Sequence, residues 1–261
     1  MSTTTLAAPI PEDTAGVHAR PGLGRLVAVE LRKILDTRAG FWMQVATVAI
    51  TALVVIVRLA TGDAADHTFA EVLTVGLKPA AVLLPVAGIL LVTSEWSQRT
   101  GMITFALVPV RSRVVGAKLV ASLLLAVAML AISVGIVAAG VLVASPGVPG
   151  AWAGAATLIA QSAVYLTAGM VVGVAFGMVV LASAPAIVAL FALPSAWLAV
   201  TSLSFFGGTG PWLDTGRALG PLSQEVLNGT QWAQVGTALA LWMLLPLLIG
   251  TWRITRRELA A

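Results

Sequence analysis

The run Leu119–Ala144, LVASLLLAVAMLAISVGIVAAGVLVA, decides the class of this chain. It opens a stretch of 95 residues, to Leu213, without one Asp, Glu, Lys, Arg or His. About 20 residues at 1.5 Å each cross the ~30 Å hydrocarbon layer of a bilayer, so this stretch needs about three crossings. Ser145-Pro146-Gly147-Val148-Pro149-Gly150 reads as a turn between two of them, and Ala182-Ser183-Ala184-Pro185 as a weaker one.

Working outward, apolar segments of similar length recur on both sides. The chain of 261 residues is therefore read as an all-α membrane protein of six spans, at about 41–60, 72–94, 117–144, 152–182, 186–206 and 233–252. Composition agrees: 59% of residues are hydrophobic and 10% charged, against roughly 25% charged in an ordinary soluble domain. Such a chain cannot clothe a water-soluble surface, and soluble enzyme classes are excluded. Cysteine is absent, which removes disulfides and thiolate chemistry.

Residues 1–22 are small and polar and are expected to form a disordered cytosolic tail, with 23–261 as the six-span domain. From Leu23 to Arg38, Leu23, Leu26, Val27, Leu31, Ile34 and Leu35 recur at helical spacing. An amphipathic helix lying in the headgroup plane is expected there. Six spans put both termini on one side. Of the 15 Lys and Arg, 12 lie on that side, in the tail and first helix, the 95–118 loop and the C-terminus. Positive residues stay cytoplasmic, so both termini are expected inside a bacterial cytoplasmic membrane.

The two histidines, His18 and His67, fall outside the spans, so no intramembrane Ser-His pair is expected, and no catalytic, cofactor or metal residue is assigned. None of the three lysines follows a glycine, which excludes a P-loop. If the chain pumps, the motor is another polypeptide. Gln44, Thr47, Thr51 and Arg58 lie on one face of the first span, a polar stripe expected to turn toward a substrate path or partner helix. Gly169, Gly173 and Gly177 form a ridge suited to close helix packing, extended upstream by Gln161 and Tyr165. The segment 207–232 is expected to hold short helices that cap the outer side, with Trp212 and Trp232 as interfacial anchors.

The loop after the second span reads Ser94-Glu95-Trp96-Ser97-Gln98-Arg99-Thr100-Gly101. Ser94 suits a helix cap, Glu95 and Arg99 an i,i+4 pair, and Gly101 a stop. Pro109, Arg111, Arg113 and Lys118 follow.

These residues, together with Val29-Glu30-Leu31-Arg32-Lys33-Ile34-Leu35-Asp36-Thr37-Arg38-Ala39-Gly40, resemble the permease subunits of ABC transporters, specifically the type-two exporter family common in high-GC actinobacteria. The six-span layout extends the likeness over nearly the whole chain. The resemblance implies that 23–38 is an elbow helix and 94–101 a coupling helix that docks into a separate nucleotide-binding subunit. Glu95, Trp96, Gln98, Arg99 and Thr100 would make that contact. It also implies two permease copies, identical or homologous, two P-loop ATPase chains that bind the ATP, and export of a lipophilic or peptide-like substrate. This chain would be a transport subunit and not an enzyme. Nucleic acid is not an expected partner. An ATPase-independent channel or carrier, or a membrane scaffold subunit, is the competing reading from the residues alone.

Overall fold

A computed structural model describes residues 22–61, 67–97, 111–203 and 208–256, and these are helices joined by short connections, with no strand among them. Among the described residues, six helical segments are long and apolar enough to cross a membrane.

The chain enters through α1 (Leu23–Asp36), whose buried residues Val27, Glu30 and Ile34 share one face. α2 (Arg38–Thr61) follows after a single intervening residue, Thr37. The Gly40 amide donates to Thr37 Oγ1 at 3.1 Å, so the residue that closes α1 also caps α2. Glycine is required at 40, because a Cβ there would sit 1.9 Å from the Ile34 carbonyl oxygen. The return crossing is α3 (Phe69–Gly76) and α4 (Lys78–Ser97), nearly continuous through Leu77. Thr68 caps α3 by accepting from the Glu71 amide.

Next comes α5 (Arg111–Ala144). At 34 residues it is about 51 Å long, well beyond the ~30 Å hydrocarbon layer, so its ends project past the lipid. The turn expected at 145–150 is present, and Gly147 adopts φ 76° within it. α6 (Ala155–Val180) and α7 (Ser183–Thr201) are joined by Leu181 and Ala182 alone, where the weaker turn was expected. Three short helical pieces follow: α8 (Gly210–Leu213), α9 (Thr215–Leu219) and a 3-10 turn at Gly220–Ser223. The last crossing comprises α10 (Gly229–Leu239), a π-helical turn at Ala240–Leu244 and α11 (Leu245–Arg256).

The core lies between α4 and α6. Gly173 faces the Pro85 carbonyl and Gly88 of α4 the Met170 carbonyl at distances that leave no room for a side chain, and Gly177 packs tightly against Ile89. The glycine ridge is therefore a packing surface, as its spacing predicts. Gln161, which the sequence places on the same ridge, does something more particular. Its Nε2 donates to the carbonyls of Leu222 (3.2 Å) and Glu225 (2.6 Å), and its Oε1 accepts from the Leu227 amide at 3.0 Å. Thr74 adds a bond to the Ser223 carbonyl, and Trp242 one to that of Leu213. These bonds pin the short helices onto the bundle end that also carries the 145–154 turn. Gln161→Leu should leave the backbone groups of buried Leu222 and Leu227 unpaired, at about 1–3 kcal/mol each, and release the carbonyl of exposed Glu225. Proteolysis between 208 and 228 should then quicken while the helical content of the bundle stays unchanged.

Candidate functional site

The opposite end of the bundle holds four charges. Glu30 and Lys33 come from α1, Glu95 from the last turn of α4, and Lys118 from the second turn of α5. Lys33 Nζ donates to Glu30 Oε1 at 2.7 Å and to Glu95 Oε1 at 2.5 Å. Lys118 Nζ donates to Glu30 Oε2 at 2.7 Å and lies 3.0 Å from Glu95 Oε1. Its third proton meets the Leu91 carbonyl at 3.1 Å.

Helix geometry explains the assembly. Glu30 stands between Val27 and Ile34 on the packed face of α1, so it must enter the protein with them. Its charge is tolerable there only if cations meet it. Glu30, Glu95 and Lys118 are buried to within 5% of full enclosure, whereas the Lys33 side chain keeps 35% of its surface. Burial opposes the charge on Lys33, but hydrogen bonds and attraction from Glu30 and Glu95 outweigh it and hold the ammonium above the ordinary lysine range. Two carboxylates and two ammoniums cancel, and three helices far apart in sequence are tied at one point.

Neighbouring contacts lock the same end. Arg111 donates to the Ile254 carbonyl at 3.1 Å, Arg253 donates to that of Val179, and Thr93 and Ser183 share a hydrogen bond of 2.7 Å. A cavity of about 220 Å³ opens beside Lys33 and is lined also by Thr37, Gly40, Ser94 and Ser183. Of the tetrad, Lys33 alone lines it.

Among the residues expected to dock a partner, Glu95 and Trp96 belong to the last turn of α4, and Glu95 is turned inward. Ser94 lies inside that helix and does not cap a new one. Gln98, Arg99 and Thr100 lie outside the described residues, and so does the i,i+4 partner proposed for Glu95. On the polar stripe of α2, Gln44, Thr47 and Thr51 are all buried. Thr47 and Thr51 leave at most 1% of their surface open, so in this conformation neither presents a face to a ligand. Thr47 donates back to the Met43 carbonyl. Gln44 Oε1 and Thr51 Oγ1 have no hydrogen-bond partner. Arg58 sits apart at the far end, 4.0 Å from Glu71.

Sequence reading missed the tetrad as a unit. The signal was an acid at position 30 set in an apolar stripe, with Lys118 as a lone cation heading a long apolar run. The chain matches no family model and no curated protein.

Proposed function

We propose that this chain is the transmembrane permease subunit of an ATP-driven ABC exporter in the bacterial cytoplasmic membrane, moving a lipophilic or peptide-like substrate with energy from a separate ATPase. The observation that carries the reading is a convergence. The two segments that resemble such permeases, 29–40 and 94–118, are far apart in sequence, yet each supplies two members of the buried tetrad. The tetrad clamps both stems of segment 98–110, one at the end of α4 and one near the start of α5. A push on that segment therefore reaches α1, α4 and α5 together.

In this reading Glu95 transmits force and does not touch the ATPase, while Arg99 and Thr100 make the docking contact. Nucleotide-driven closure of the ATPase pair displaces 98–110, and the ATPase favours one arrangement of the permease over another by its differential affinity. Co-expression with a P-loop ATPase, where one is encoded beside this chain, should yield a complex on affinity purification. Arg99→Glu should abolish ATPase recovery while leaving the permease in the membrane. Recovery unchanged by that charge reversal, or substrate flux in liposomes holding this chain alone, would overturn the proposal.

A further inference from the structure

A second feature lies on the lipid-facing side. Between α1, α2 and α5 runs an open groove of about 620 Å³, lined by Leu31, Val45, Ala49, Leu124, Ala128 and Ile132 among others. Its walls are almost wholly apolar, but Gln44 is set into them. That residue is 9% exposed, and its Oε1 has no hydrogen-bond partner. A buried amide oxygen without a partner is costly and marks a place where the packing leaves a polar group unanswered.

Two arginines stand beside the residues that line the groove in α1 and α2. Arg38 opens α2, and Val45 and Ala49, at offsets of 7 and 11, fall on its own helical face. Arg32 is one position from groove-lining Leu31 and three from groove-lining Leu35. Both arginines are exposed, and Asp36, also exposed, is the one acid between them. Gln44 lies six residues beyond Arg38, about 9 Å along the helix axis.

This order of groups, cation then amide then hydrocarbon, matches the order along a phospholipid: phosphate, glycerol esters, acyl chain. We infer that the groove is a binding site for one acyl chain of an anionic phospholipid, its phosphate held by Arg32 and Arg38 and its glycerol ester by the Gln44 amide. The Gln44 Nε2 is a donor, so the carboxamide can bond an ester carbonyl. Arginine suits the phosphate because its planar fork bonds two oxygens at once. The inference stands apart from the transport reading, since it needs only that the chain sits in a bilayer.

Native mass spectrometry of the purified chain, titrated with phosphatidylglycerol or with phosphatidylcholine of the same acyl composition, tests it. Wild type should retain phosphatidylglycerol about fivefold or more over phosphatidylcholine. Replacing both arginines, as Arg32→Gln with Arg38→Gln, should bring that ratio near one. Filling the groove by Ala128→Phe, or separately by Ala49→Phe, should lower retention of both lipids; both positions are exposed, so the core is untouched. Equal retention of the two lipids by wild type, or undiminished retention in both filled variants, would overturn the inference. The chain has no cysteine, so Ala49→Cys introduces a single thiol. A disulfide-linked dimer of that variant in native membranes would put a second copy in the groove and refute the lipid assignment.

Discussion

Lys118→Met is expected to destabilise the protein by about 3–5 kcal/mol, the range for stripping one partner from a buried ionic network. The substitution keeps the volume of the side chain nearly unchanged, so the loss is electrostatic. Glu30 and Glu95 would be left facing each other with only Lys33 between them, and the Leu91 carbonyl would lose its donor. In a chain of this size the apparent melting temperature in detergent should fall by roughly 10 °C. Adding Glu30→Gln should restore part of the loss, because it removes one of the two stranded carboxylates. Arg32→Gln on the exposed side of the same helix serves as the control and should leave stability nearly unchanged. A Lys118→Met variant as stable as wild type would mean that the tetrad does not hold the three helices together.

The second large effect belongs to Gly173. A Cβ added there would sit 1.9 Å from the Pro85 carbonyl oxygen, 2.6 Å from its carbon and 2.7 Å from its Cα. All three are backbone atoms, so no rotamer change can relieve the clash and α4 must move away from α6. Membrane helices depend on such close approach, since lipid offers no hydrophobic drive to bring them together. Gly173→Ala should therefore abolish most of the monodisperse protein seen by fluorescence-detected size exclusion. Gly169→Ala, one turn away, brings its Cβ 3.5 Å from Pro85 Cγ, an ordinary contact, and should behave as wild type. Equal behaviour of the two variants would show that the α4–α6 interface is looser than its geometry states.

The spans were legible because hydropathy and helix rise are one-dimensional properties. The expected third span, 117–144, lies wholly within α5, whose start carries charges that hydropathy cannot place: Arg111 bonds the Ile254 carbonyl and Lys118 meets two acids. A hydropathy window sees a charge but not its partner. The same blindness hid Glu30 and made Glu95 look like a surface residue. Gln161 was grouped with the glycines by its spacing of four; only the fold shows that the backbone it satisfies lies more than sixty positions away. The glycine ridge and the turn at 145–150 were readable because steric demand and turn chemistry are local.

The single residue between α1 and α2 leaves the chain no slack. Thr37 and Gly40 fix the angle at which the amphipathic helix meets the first span. One amino acid inserted or deleted there would rotate everything downstream in α2 by about 100° around its axis. Gln44, Thr47 and Thr51 would swing off the packed face, and apolar neighbours would take their places, Ala46 and Ile50 on insertion or Val48 and Ala52 on deletion. A change of length is thus less tolerable here than in a longer connection, because a single residue sets the phase between these two helices.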